Sequence, residues 1–204
     1  KRNPDKLTII FPRSSQLLRW SRIFPEIVAN IPHDVDIFWI GEGDPEDTEI
    51  IKSVSARDKR VNFLAADFDQ MPTWYQRADI VVIPTLASEG TSLSCLEALA
   101  SGCATIATNI GGLNDIILND YNGRIVEPNA QEITQAINFL IENKDERDRL
   151  QKIAPESVTF FELSYWREKW AHLLLQLGWV EKETYRKWKT ANETEQKTKS
   201  FKSA

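Results

Sequence analysis

One stretch decides the fold: Asp79 to Ile117, reading DIVVIPTLASEGTSLSCLEALASGCATIATNIGGLNDII. Asp79 to Ile83 is a continuous β-branched apolar run of strand length, and Pro84 ends it. A loop of small residues follows. Gly90-Thr91-Ser92 then signals a helix start, and Gly102 is placed as its stop. Ala104 to Ala107 is a second short apolar run. Strand, helix and strand in this order are the repeating unit of a parallel sheet, and they bring a helix N-terminus to the carboxyl end of a strand. In an open α/β sheet ligands bind at that edge, and the free N–H groups of a first helical turn favour an anion such as phosphate. Thr91 and Ser92 add hydroxyl donors.

The same pattern extends to both sides. Leu7 to Phe11, Asp36 to Ile40, Val61 to Leu64 and Arg124 to Val126 are further runs of strand length. Most are continuous rather than alternating, as in strands buried on both faces, and the intervals between them are mostly long enough for crossover helices. The expectation is a Rossmann-like α/β fold: an open parallel sheet of about six strands with helices on both faces. From Ile133, the positions Ala136, Ile137, Leu140 and Ile141 mark the apolar stripe of one helix. From Trp166, the positions Trp170, Leu173, Leu174 and Leu177 mark another, with Gly178 as its stop.

Residues 1–180 are read as one ligand-binding domain that starts at a domain boundary. Residues 181–204 are read as a polar, frayed tail, with seven Lys+Arg against four Glu after Trp179. Within it, Tyr185 and Trp188 either pack back on the body or stay exposed.

Composition narrows the function. The chain has 204 residues, 25 Lys+Arg against 30 Asp+Glu and a net charge of −5. With no basic excess, binding nucleic acid by general phosphate neutralisation is disfavoured, while a discrete phosphate site stays open. Cys95 and Cys103 are the two cysteines; they read as small buried residues and fit a reducing, cytoplasmic setting. His33 and His172 have no partner in sequence, so no metal site is expected. Asp67-Phe68-Asp69 is an Asp-x-Asp string of the kind that can hold a divalent metal. Its place just before a helix at Met71 to Ala78 is explained more simply by acidic capping. No apolar run approaches the roughly 20 residues needed to span a bilayer.

Glu89 precedes the central helix and Glu97 lies within it, seven residues apart in between. A carboxylate beside a phosphate repels it, so Glu89 suits sugar hydroxyls, and the two oxygens of Glu97 suit a vicinal diol such as ribose. Spacing alone leaves open that the first is a plain loop carboxylate and the second an exposed helix charge.

The run E-G-T-S-L-S-C-L-E-A-L-A-S-G followed by A-T-I-A-T-N-I-G-G resembles the nucleotide-sugar segment of the retaining glycosyltransferases of family 4, also called glycosyl transferases group 1. Their mark is two glutamates with seven residues between. Phe38 to Gly43, Arg60 to Leu64, Asn122 to Val126 and Tyr165-Trp166 also resemble that family's recurring segments, in the same order, so the resemblance covers roughly Leu7 to Trp179.

The resemblance implies one half of a GT-B architecture: the C-terminal donor-binding domain, facing an N-terminal acceptor domain of the same parent chain. The parent would move a hexose from a nucleotide diphosphate sugar to a glycan, lipid or other acceptor with retention, without cofactor or metal. The isolated domain would turn over poorly.

Arg13 and Arg19 resemble the basic pair that grips the diphosphate, where fixed guanidinium groups would stabilise the charge gained on bond breaking. Trp20 stands where the family commonly has glycine, which leaves Arg22 open as an alternative to Arg19. By resemblance Glu89 meets the donor sugar near the reacting centre, and Glu97 the ribose. Gly90, Thr91, Ser92 and Leu93 would supply backbone or hydroxyl contacts, and Phe63 and Leu64 would flank the base. Thr91 replaces a frequent aromatic, and Asp115 stands near a frequent glutamate after Gly111-Gly112. Peripheral association with the inner face of a membrane is compatible with this reading, as is a module that binds nucleotide sugar without transferring it. A nucleotide-sugar epimerase of the same architecture would need catalytic carboxylates and histidines that the sequence does not offer.

Overall fold

The computed structural model describes residues 5–12 and 20–191. Six strands form one sheet: β1 (Thr8–Phe11), β2 (Asp36–Ile40), β3 (Val61–Leu64), β4 (Ile80–Ile83), β5 (Ala104–Thr108) and β6 (Arg124–Val126). Their order is β3-β2-β1-β4-β5-β6 and every pairing is parallel. This is the Rossmann-like sheet expected from the short apolar runs, and the strands start and end within one residue of them. β1, β4 and β5 are buried at every position, which is why their sequences do not alternate.

Side chains still alternate between two cores. Ile9, Phe11, Ile80 and Val82 face one side, under α1 (Phe24–Ala29), α2 (Pro45–Arg57) and α5 (Ala130–Glu142). Ile10, Val81 and Ile83 face the other, under α3 (Met71–Arg77), α4 (Leu93–Ala100) and α6 (Lys144–Ser157). In α5, Ile133, Ala136, Ile137 and Leu140 are buried as the stripe predicted, and the Asn129 side chain caps the helix by accepting from the Glu132 N–H at 2.9 Å.

Contacts divide the chain into two compact units, Lys1–Val158 and Thr159–Ala204. The division falls at Val158, not at residue 180 as composition suggested, because the sheet and its six helices are complete by the end of α6. The second unit holds α7 (Leu163–Gln176) and α8 (residues 182–191). Gly178 lies between them at φ +72°. Its N–H donates to the Leu175 carbonyl and that of Trp179 to Leu174, the two bonds of a Schellman cap at the predicted stop.

Residues 182–191 are helical where a frayed tail was expected. Tyr185 and Trp188, three apart, fall on one helix face and line an apolar groove with Trp166, Trp170 and Leu174 of α7. No residue of α7 is buried. Among the described residues no helix is long and apolar enough to cross a membrane.

Candidate functional site

The strand order reverses between β1 and β4, from which the chain works outward in opposite directions. At such a switch point the connections leaving the carboxyl ends of the two central strands diverge and open a crevice. On the β4 side this crevice is bounded by the loop Pro84–Ser92 and the start of α4. On the β1 side lies Pro12. Arg13 and Arg19 fall outside the described residues, as does the side chain of Trp20.

Ser92 is the N-cap of α4 in extended backbone, and its carbonyl accepts the first helical bond, from the Leu96 N–H at 3.1 Å. Its side chain caps nothing. The hydroxyl is buried, the residue 2% exposed, and it has no hydrogen-bond partner among the described residues. An orphaned buried hydroxyl is costly, and here it stands at the positive end of a helix dipole. Thr91 and Leu93 on either side are exposed, Leu93 at 64%, and a Cβ added to Gly90 would meet nothing within 4 Å. At its other end α4 closes on Gly102, at φ +71°, with a second Schellman cap: Gly102 N–H to Leu99 and Cys103 N–H to Ala98.

Glu89 is half-buried and held from two directions. Its Oε2 accepts from the buried Thr85 hydroxyl at 2.9 Å, and its carbonyl accepts from the Gly112 N–H at 3.1 Å. The turn Gly111–Asp115 is 3-10 rather than α-helical, and its glycines lie directly against the motif. A Cβ on Gly111 would stand 2.2 Å from the Glu89 carbonyl oxygen, and one on Gly112 2.4 Å from that of Gly90. Asp115 is exposed at the end of the turn.

Glu97 lies half-buried in α4, four residues before the Ser101 cap. Its charge acts on the phenol of Tyr75, a fully buried α3 residue that no sequence signal had marked. Burial first, and the Glu97 charge second, hold that phenol well above its ordinary pKa, so it stays protonated.

Phe63 and Leu64 end β3 as expected and are half-buried, packed against the two cores. The open hollow at this end of the sheet lies slightly beyond them. Gly41, Glu42, Ala65, Ala66, Asp67 and Gln70 line it, and the Gly41 N–H donates to the Leu64 carbonyl at 3.0 Å. Gly41, at φ 139°, is the glycine that ends the quoted Phe38–Gly43 segment's strand. Asp67 caps the turn before α3 reciprocally with Gln70, as the capping reading predicted. Among the described residues no cluster of His, Cys, Asp and Glu could hold a metal ion. His33 pairs with Glu142 at 3.1 Å and His172 with Gln176 at 3.0 Å, while Cys95 and Cys103 are buried and unoxidised.

The model of the family Glycosyl transferases group 1 matches residues 13–143, more than half of the chain. A D-inositol 3-phosphate glycosyltransferase of Xylanimonas cellulosilytica is 26% identical over 129 residues, covering 60% of this chain and 31% of the relative. The chain spans less than half the length of the curated relatives it matches. Among solved structures, the C-terminal domain of a glycosyl transferase group 1 family protein from Francisella tularensis superposes with a TM-score of 0.66 at 30% identity. That match covers 79% of this chain and 89% of the other. Anabaena HepE in complex with UDP-glucose shares the fold at a TM-score of 0.75 and 21% identity, over 84% of this chain and 49% of that one. By the extent of the family match, in agreement with the Rossmann-like parallel sheet, the chain belongs to the glycosyl transferases group 1 family.

Proposed function

We propose that this chain is the donor-binding half of a retaining glycosyltransferase that moves a hexose from a nucleoside diphosphate sugar to a glycan, lipid or other acceptor held mainly by another domain. The observation that carries the reading is the Ser92 hydroxyl, buried and without a partner at the N-cap of α4, on the switch-point edge of the sheet. A phosphate oxygen there would accept from Ser92 and from first-turn N–H groups, and would satisfy the orphaned donor. Relatives that carry the name glycosyltransferase, and a structural neighbour that holds UDP-glucose, support the same class of ligand.

The remaining residues then fall into an order along the edge. The base would occupy the hollow past Phe63 and Leu64, and Glu97 would accept from the ribose hydroxyls. The diphosphate would lie at Gly90 to Leu93, and the sugar beside Glu89. From the β2–β3 hollow to β4 is two to three strand spacings, about 10–14 Å, which an extended nucleoside diphosphate can bridge.

Bond breaking places negative charge on the leaving diphosphate, which the α4 dipole and the guanidinium groups of Arg13 and Arg19 would stabilise without a metal. Glu89, held by Thr85 and the Gly112 N–H, would orient the sugar hydroxyls near the reacting carbon.

Calorimetric titration with UDP, GDP and ADP, with and without magnesium, tests this reading. Selective binding of one nucleotide, unchanged by magnesium, is expected. Absence of binding by all three would overturn it for this chain, and binding only with magnesium would overturn the metal-free mechanism.

A further inference from the structure

Two buried threonines stand where β4 and β5 end. Thr85, two residues past β4, and Thr108, the last residue of β5, are both 0% exposed. Valine would fill either place without bringing in a polar atom. A buried hydroxyl is tolerated when it is satisfied, and these two are satisfied in one direction, toward Glu89. The Thr108 hydroxyl donates to the Thr85 carbonyl, and the Thr85 hydroxyl donates to Oε2 of Glu89 at 2.9 Å. The main chain is tied by the same segment. The Thr108 carbonyl accepts from the Ile110 N–H at 2.7 Å, and two residues on the Gly112 N–H reaches the Glu89 carbonyl at 3.1 Å. Side chain and backbone of Glu89 are thus both fixed from the carboxyl end of β5.

We propose that Thr85 and Thr108 are positioning residues, a chain of two hydroxyls that holds the Glu89 carboxylate toward the donor sugar and so sets how much the sugar adds to the affinity of the nucleotide. This rests on the reading of Glu89 as the sugar contact. A glutamate side chain loses considerable rotamer freedom when it clamps a ligand, and a buried partner that fixes it beforehand removes much of that cost. A carboxylate accepts up to about four bonds, so the one from Thr85 is compatible with another from a sugar hydroxyl. Thr108 acts one step behind, because its bond to the Thr85 carbonyl fixes the backbone from which the Thr85 hydroxyl projects.

Thr85→Val deletes the hydroxyl and keeps the shape. Calorimetry on the whole chain would compare each nucleotide sugar with its bare nucleotide: UDP-glucose with UDP, GDP-mannose with GDP and ADP-glucose with ADP. For the pair that binds, Thr85→Val should lower affinity for the nucleotide sugar about 3- to 10-fold while changing that for the bare nucleotide less than about 2-fold. Thr85→Ser should recover most of the loss; serine returns the hydroxyl but not the methyl group, so a packing defect would persist. Thr108→Val should give the same pattern in smaller measure and serves if Thr85→Val folds poorly. On a Glu89→Ala background neither substitution should cost further affinity for the sugar form. Equal losses for both ligands, or no loss while Glu89→Ala still weakens the sugar form selectively, would reduce the two threonines to packing residues and overturn the proposal. Failure of Glu89→Ala to weaken the sugar form more than the bare nucleotide would overturn the sugar assignment of Glu89, and the role of the threonines with it. Absence of binding by all the nucleotides would overturn the donor-binding reading itself.

Discussion

Gly90 and Gly112 sit in contact with each other's chain segments, yet they answer differently to the same substitution. A Cβ on Gly90 meets nothing within 4 Å, and its backbone is one that other residues adopt. Gly90→Ala should therefore leave the melting temperature nearly unchanged and weaken nucleotide binding, because only a ligand approaching the backbone would feel the methyl group. Gly112→Ala is the reverse case. Its Cβ would stand 2.4 Å from the Gly90 carbonyl oxygen, so the loop must move, the bond from the Gly112 N–H to Glu89 is lost, and both stability and binding should fall. Thermal melts and nucleotide titrations on the two variants check the pair. An unaltered affinity in Gly90→Ala would take Gly90 out of the contact surface.

Among the elements, α4 carries the site and its ends fix where it points. Gly102 sits at φ +71° with the position of a Cβ 3.3 Å from the Gln151 carbonyl oxygen. Gly102→Ala should cost about 1–2 kcal/mol, read as a lower denaturation midpoint at unchanged slope. On the far side of the sheet, Arg60 closes the end of α1. It donates to the carbonyls of Ile31 at 2.6 Å and His33 at 2.7 Å, and pairs with Asp58 at 2.6 Å. The Arg60 side chain, bonded to the Asp58 carboxylate, holds that group below its ordinary pKa. A depressed folded-state pKa adds stability above the unfolded-state value, near 4, and this is lost as pH falls below it. The stability gap between the natural chain and Asp58→Asn should accordingly be full at pH 6 and shrink progressively from about pH 4 downward. A gap independent of pH would mean that the pair contributes through packing alone.

At the scale of the molecule, a net charge of −5 gives an anionic nucleotide no general attraction, so its phosphates must be met by local donors. The helix start at Ser92 is such a donor set.

Much of this was legible in the sequence. The six strands were, because burial on both faces makes them short continuous apolar runs, and so were the two glycine stops, because a left-handed cap has a residue requirement. The seven-residue interval put Glu89 and Glu97 on the page together. What the sequence could not carry were contacts between distant segments. Thr85 and Gly112 fix Glu89 through the packing of two strand-end loops, from positions 4 earlier and 23 later in the chain. α8 was hidden by a polar composition, because only Tyr185 and Trp188 signal its packing face. Arg13 and Arg19 lie outside the described residues, so their part in the site rests on the resemblance alone.

The central claim is that a nucleoside diphosphate lies along the carboxyl edge of the sheet, with its phosphates at the N-terminus of α4. Backbone amide chemical shifts followed by NMR during titration with UDP, GDP and ADP in turn test it most directly. The account predicts that the nucleotide that binds shifts the amides of Gly90 to Ser94 most, with a second group at Gly41, Glu42 and Ala65 to Asp67. Shifts confined to the opposite edge of the sheet, or to α7 and α8, with residues 90–94 unmoved, would contradict it.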